Sequence, residues 1–167
     1  MKKLRPKKYL GQHFLNDTKI SDIIIEKVDL NNTQTIIEVG PGMGVLTENL
    51  IKLGKNCFFI EIDNDAVNFL KKKYPNLSDS ILNQDFLKLN LEKFKPPLAI
   101  IGNFPYNISS QIVFKIIQNR KYVNQMVGMF QKEVAERICS KPGSKVYGIL
   151  SVLTQAFFKT DFLFTLK

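Results

Sequence analysis

Histidine and cysteine are nearly absent from this chain of 167 residues, which holds one histidine, His13, and two cysteines, Cys57 and Cys139. So few soft ligands cannot build a His/Cys zinc cluster, and no metal is expected. Cys57 falls in a predicted strand and Cys139 at the end of a predicted helix. They read as buried or incidental thiols, not as a disulfide framework. No apolar run approaches the length that spans a bilayer, and the basic N-terminus lacks the apolar core of a signal peptide. A cytoplasmic protein without membrane contact is the expectation. Internal repeats, low-complexity tracts and linkers are also missing, so one domain is expected over residues 1–167, long enough for a three-layer core.

Acidic residues are in deficit as well, 15 against 24 Lys and Arg, giving a net charge of +9. Lys2, Lys3, Arg5, Lys7 and Lys8 crowd into an N-terminal arm, residues 1–8. Such an arm attracts polyanions. A tail that merely solubilises is the alternative. Nucleic acid is favoured over anionic membrane because no amphipathic anchor follows.

The chain is organised around Thr35 to Thr47. Ile36 to Val39 reads as a buried strand. It runs into three glycines at alternate positions, Gly40, Gly42 and Gly44. Val45, Leu46, Leu50, Ile51 and Leu53 then recur at helical spacing as far as Gly54. Strand, glycine loop and helix open a nucleotide-binding βαβ unit, in which backbone N–H groups approach a ligand at the positive end of a helix. A tight connection with no ligand is the other reading of a lone glycine turn. The next predicted strand, Cys57 to Asp63, adds weight. Glu61 follows Gly40 by about 20 residues, where a ribose-binding carboxylate belongs.

Elsewhere, Asp17 or Thr18 is expected to cap a helix that buries Ile20, Ile23, Ile24 and Val28. Asn64 or Asp65 is expected to cap another with Val67 and Leu70 inside. Lys71–Lys73 complements its dipole, and Pro75 forbids its continuation. Ser80 to Asn83 reads as a third strand delivering Gln84, Asp85 and Phe86 to a loop. An acid beside an aromatic there can hold a purine, and an Asx turn with a core Phe is the alternative. After a turn at Pro96–Pro97, Leu98 to Ile101 is a fourth strand. Ser109 or Ser110 caps a helix burying Ile112, Val113, Ile116 and Ile117. Gln125 to Phe130 is a fifth strand, and Lys132 to Cys139 a helix with Val134 and Ile138 inward. Lys141 to Lys145 is a basic loop, Tyr147 to Phe158 a sixth helix, and Asp161 to Leu166 a final strand. Alternating strands and helices predict an α/β fold, a mostly parallel sheet with helices on both faces. Ligands bind such sheets beyond the carboxyl ends of the strands. Gly40 to Gly44, Glu61, Asp85 and Asn103 to Tyr106 all fall at such ends.

Asn103-Phe104-Pro105-Tyr106 offers an amide, a rigid turn and an aromatic ring, with no nucleophile–base pair nearby. The amide carbonyl and an adjacent backbone carbonyl can accept both N–H groups of an exocyclic amine, and Tyr106 can stack on a flat base. Positioning and electrostatics would then suffice for group transfer to that amine. A proline turn with a core tyrosine is the alternative.

These residues carry a resemblance. Gln12-His13-Phe14-Leu15, Glu38-Val39-Gly40-Pro41-Gly42-Met43-Gly44, Glu61, Asp85 and Asn103-Phe104-Pro105-Tyr106-Asn107-Ile108-Ser109 together resemble the ribosomal RNA adenine N6-dimethyltransferases. That family includes the housekeeping small-subunit enzymes and the macrolide-resistance methyltransferases. Met129 to Ala135, Tyr147-Gly148 and Leu150-Ser151-Val152 are more similar to the housekeeping branch. The resemblance runs from about Lys8 to the end. It implies a Rossmann-like class I methyltransferase domain with S-adenosylmethionine as donor. By position, His13, Leu15 and Gly42 would touch the donor, Gly40 would lie against its amino-acid part, and Glu61 would bind its ribose. Asp85 would contact its adenine amine. Asn103 would bridge donor and target, the Phe104 carbonyl would be the second acceptor, Pro105 would fix the turn, and Tyr106 would stack on the target base. The implied substrate is two adjacent adenosines in a hairpin loop near the 3′ end of small-subunit rRNA, within an immature subunit. By the same resemblance the target base would leave its stack, and the basic arm, Lys141 and Lys145 would contact phosphates. A monomer is expected.

The family's pattern continues past Lys167, with a further aromatic loop, an antiparallel strand beside the fifth and a small helical C-terminal domain. A truncated catalytic domain is therefore expected, with donor binding better retained than full activity and with weakened rRNA affinity. Three rival readings stand beside this one. A DNA adenine methyltransferase could use the same tetrapeptide, but the Gln-His-Phe-Leu segment disfavours it. A nicotinamide-dependent oxidoreductase would leave Asn103 to Tyr106 without a role. A non-catalytic rRNA-binding assembly factor would keep the RNA contacts alone.

Overall fold

The computed structural model describes residues 18–166. Among these residues are five strands and six α-helices. The strands are β1 (Thr35–Val39), β2 (Asn56–Glu61), β3 (Ile81–Asn83), β4 (Leu98–Asn103) and β5 (Val123–Met129). The helices are α1 (Thr18–Glu26), α2 (Val45–Lys52), α3 (Asn64–Lys73), α4 (Ser109–Gln118), α5 (Lys132–Cys139) and α6 (Ile149–Phe157). All strand pairs are parallel, in the order β3-β2-β1-β4-β5. This is the α/β sheet that the alternation predicts.

Successive strand side chains point to opposite faces, and both faces are covered. On one face Ile36, Phe59, Ala99 and Ile101 pack with Ile24 and Val28, with Leu46 and Leu50 of α2, and with Val67 and Leu70 of α3. On the other, Ile37, Val39, Ile60, Leu98 and Ile100 meet Ile112 and Ile116 of α4. A smaller cluster of Val113, Ile117, Ile138 and Leu150 joins α4 to α5 and α6. Burial on both faces is why the strands read as unbroken apolar runs instead of alternating ones.

Several local expectations shift. Asp63, not Asn64 or Asp65, caps α3: its backbone is extended and its side chain accepts from Asp65 N at 3.0 Å. Ser109 is the first helical residue of α4, Ile108 stands at the cap, and Ser109 Oγ donates to Tyr106 O at 3.3 Å. In α1, Ile23 is exposed and Ser21 is buried in its place. The inward stripe there follows Ile20, Ile24 and Val28 at four-residue steps. In α2, Thr47 is buried where Ile51 is exposed. Thr18 is helical, and Asp17 lies outside the described residues.

Asp161 to Leu166 form no strand, and all six are exposed. A strand exists through hydrogen bonds to a neighbour. A cleft of about 630 Å³ lies between β5 and residues 158–166, so among the described residues Asp161 to Leu166 have no strand beside them to pair with.

Gly44 sets the entry to α2. It is the residue before the helix, with φ +79°, a conformation that glycine adopts without strain. A Cβ there would also lie 3.0 Å from Leu70 Cδ2 and 3.3 Å from the Tyr74 ring. Gly44→Ala is therefore expected to lower stability by about 1–3 kcal/mol, from left-handed strain plus crowding, as read by urea denaturation.

Candidate active site

The glycine loop leaves β1 at its carboxyl end. Gly40 N donates to Ile60 O at 2.9 Å, which extends the β1–β2 ladder by one step, and Gly44 N donates to Pro41 O at 2.8 Å. Gly40, Gly42 and Gly44 all have positive φ, at 68°, 54° and 79°. The chain thus reverses within one turn and begins α2 with free helical N–H groups directed toward the loop.

Glu61, the last residue of β2, is 3% exposed. Its Oε2 accepts from Gly42 N at 3.1 Å and its Oε1 from Asp63 N at 2.9 Å. The carboxylate therefore bridges the glycine loop to the start of α3. Burial, with the nearby charge of Asp63, raises its pKa, while the backbone N–H groups of Asp63, Gly42 and Ile62 pull the other way. Both oxygens keep lone pairs beyond these bonds, so the group can still accept from hydroxyls.

Glu38, one residue before the end of β1, is buried more deeply still. Thr47 Oγ1 donates to its Oε2 at 2.7 Å, which ties the strand before the loop to the helix after it. Burial, reinforced by the charge of Glu61, pushes its carboxyl up to about 8. The two acids thus differ in their support: backbone N–H dipoles for Glu61, one hydroxyl for Glu38. The pairing of Glu38 with Thr47 was not visible in sequence. The available signal was an acid inside the apolar run Ile36 to Val39.

Asp85 follows β3. Its Oδ1 accepts from Leu87 N at 2.9 Å and starts a 3₁₀ turn, Phe86–Lys88, with Phe86 buried. The Asx turn with a core Phe is therefore present. It engages one carboxylate oxygen of a half-buried side chain and leaves acceptor capacity for a ligand amine. Lys115 of α4 holds this turn, donating to Leu87 O at 2.9 Å and Leu89 O at 2.7 Å, with its ammonium over the Phe86 ring. Sequence reasoning did not single out Lys115. Asn83 Nδ2 donates to Glu61 O at 3.0 Å and so joins the ends of β3 and β2.

Asn103 ends β4 and is half-buried, as are Pro105 and Tyr106. Phe104 is 1% exposed, its N donates to Met129 O at 3.1 Å, and its ring lies 4.8 Å from that of Phe130. Its side chain therefore belongs to the core. Gly40 faces Pro105: a Cβ on Gly40 would lie 3.9 Å from Pro105 Cγ. The fold thus brings glycine loop, Glu61 and tetrapeptide together along one edge. His13 and Leu15 lie outside the described residues, as do Lys2 to Lys8. Among the described residues, no group of three or more His, Cys, Asp or Glu could hold a metal, and no helix is long and apolar enough to cross a membrane.

Residues 3–167 match the family described as ribosomal RNA adenine dimethylase. The chain belongs to that family. A curated relative from Flavobacterium johnsoniae, ribosomal RNA small subunit methyltransferase A, is 52% identical over 169 residues. That match takes in 100% of this chain and 65% of the relative, so the chain spans about two thirds of the length of that protein. Among solved structures, a dimethyladenosine transferase from Plasmodium falciparum is 30% identical with a TM-score of 0.72, covering 86% of this chain and 52% of that one. The 23S rRNA methyltransferase ErmE gives 28% identity and a TM-score of 0.65, covering 78% of this chain and 53% of that one.

For this member of the family, the buried acids predict a pH signature. Glu38 keeps its proton in the folded state up to about pH 8, whereas the unfolded chain loses it near the ordinary Glu pKa. Between those values the folded state binds more protons, so stability falls as pH rises and levels off above the folded pKa. Glu61 contributes in the same direction. Urea unfolding at pH 5 and pH 9 is expected to show the fall, with Glu38 contributing up to about 5 kcal/mol. Glu38→Gln, neutral at every pH, is expected to shrink it to the part that Glu61 supplies.

Proposed function

We propose that this chain is the catalytic domain of an S-adenosylmethionine-dependent methyltransferase. It would dimethylate N6 of two adjacent adenosines in a hairpin loop near the 3′ end of small-subunit rRNA, during small-subunit biogenesis. The observation that carries the reading is one of contact. Glu61 is bonded to the glycine loop through Gly42 N, and that loop in turn meets the tetrapeptide at Gly40 and Pro105.

The residues present fit the donor. Glycine backbone without side chains lies at the end of β1, a carboxylate with spare acceptor capacity at the end of β2, and a second acid at the end of β3. Gly40 and Gly42 would hold its amino-acid part, Glu61 its ribose hydroxyls and Asp85 its adenine amine, with His13 and Leu15 contributing from the N-terminal segment. When bound, S-adenosylmethionine supplies an electrophilic methyl group.

The chain's own part is positional. The Asn103 side-chain carbonyl and the Phe104 backbone carbonyl accept the two N–H groups of the target amine, which leaves its lone pair directed toward the donor site. Those acceptors also stabilise the positive charge that develops on nitrogen, so no strong base is required. Tyr106 stacks on the flipped base, and Pro105 limits the turn. The exposed Lys141 and Lys145, with the arm Lys2 to Lys8, would meet phosphates. In this reading the domain works in the cytoplasm, as a monomer and without metal, on the immature subunit.

Calorimetric titration with S-adenosylmethionine tests the donor site. Glu61→Ala removes charge-assisted hydrogen bonds worth about 1.5–3 kcal/mol, so its dissociation constant should rise roughly ten- to hundredfold. Methyl transfer to small-subunit rRNA, compared with duplex DNA, tests the substrate. Asn103→Ala should abolish transfer to RNA while leaving RNA binding intact. Retained transfer in that variant, or preference for DNA, would overturn the assignment.

A further inference from the structure

Two glycines outside the motifs stand directly beneath the tetrapeptide. Gly102 on β4 and Gly128 on β5 are register partners in the parallel ladder. A Cβ on Gly102 would lie 2.6 Å from Val39 O and 3.1 Å from Phe104 Cε1. A Cβ on Gly128 would fall 2.5 Å from Phe104 Cε2 and well inside contact distance of the Gly102 carbonyl oxygen. The Phe104 ring therefore fills the space that two neighbouring side chains would take on any other pair of strands. Phe130 stands against the same ring, its centroid 4.8 Å away. The Phe104 backbone is fixed at the level of β5 by its bond to Met129 O.

We propose that Gly102 and Gly128 are positioning residues: a side-chain-free floor that seats Phe104 and so sets the height of Asn103, the Phe104 carbonyl and Tyr106 over the donor site. This rests on the methyl-transfer reading of the tetrapeptide. Neither glycine touches a reacting atom. They act through Phe104, which is joined covalently to Asn103 on one side and to Pro105 on the other. Isolated glycine within a strand commonly marks such a close approach. The obstacles at Gly128 are a strand carbonyl and a ring held between its neighbours, not a flexible side-chain end. An added methyl must therefore part β4 from β5 or lift Phe104. A displacement of about one ångström at a positioned acceptor can cost on the order of a hundredfold in rate.

The test compares Gly128→Ala with Gly148→Ala, where an added Cβ meets nothing within 4 Å. Folding is checked by circular dichroism, donor affinity by calorimetry, and transfer by single turnover on small-subunit rRNA. Gly128→Ala should stay folded, bind S-adenosylmethionine within about threefold of the parent, and transfer methyl groups on the order of a hundredfold more slowly. Gly148→Ala should match the parent in all three. A Gly128→Ala rate equal to that of the parent overturns the proposal. So does a loss of rate matched by an equal loss of donor affinity, which marks a merely structural role.

If the parent neither binds S-adenosylmethionine nor transfers a methyl group, the functional reading fails for this chain, and wherever transfer is absent NMR decides the positioning separately. The Asn103 side-chain amide and the Phe104 ring signals should move in Gly128→Ala while the Gly42 amide does not; unmoved signals overturn the floor. Should Gly128→Ala not fold, Phe104→Leu leaves the floor bare and shrinks what sits on it. It should give the same split between affinity and rate, or the same selective shift of Asn103, and parent-like behaviour in both would overturn the proposal.

Discussion

The parallel register of β1 between β2 and β4 is the constraint on which the site depends. Val39 stands beside Ile60 on one side and beside Gly102 on the other. Three chains therefore leave the sheet at nearly one height, and whatever follows them must share one narrow edge. A glycine loop follows β1, a carboxylate ends β2, and an amide ends β4. Close approach among them is possible because the loop carries no side chains at its turning points. Gly40 can then face Pro105, and Gly42 can present its N–H to Glu61. Parallel pairing aligns strand ends in a way that antiparallel hairpins do not, because every crossover returns the chain to the same starting side.

Electrostatics divides the two acids at this edge. Burial penalises the charged form of both Glu38 and Glu61. Glu61 accepts from backbone N–H groups, which favour its anion, whereas Glu38 accepts from one hydroxyl. Mutual repulsion also favours a single charge. The loop is thus braced by a neutral carboxyl beneath it, Glu38 with Thr47, and faced by the acid better able to remain ionised.

Much of the fold was readable because both faces of the sheet are covered. Continuous apolar runs such as Leu98 to Ile101 have no other simple home, and glycines at alternate positions after such a run restrict the turn. The helix from Lys132 to Cys139 was readable to the residue. Errors arose where the deciding partner is remote. Ile23 and Ile51 are apolar and correctly spaced, yet small polar residues, Ser21 and Thr47, take the interior. Helical spacing tolerates either choice, and the neighbouring helix decides. The caps at Asp63 and Ile108 depend on where the chain turns away from the strand, which composition does not fix. Asp161 to Leu166 has strand-like composition, but a strand requires a hydrogen-bonding neighbour, and β5 stands across a cleft.

The sequence by itself determined the class of fold, the chemistry available at each strand end and the family, because these depend on residue type, period and short-range spacing. Tertiary structure alone decided which of those groups meet. It placed Gly42 on Glu61, Thr47 on Glu38, Lys115 on the Asp85 turn and Phe104 on a floor of two glycines. The physical reason is that each of these contacts joins residues on different elements. Their distance is set by strand register and packing, and no local pattern along the chain records it.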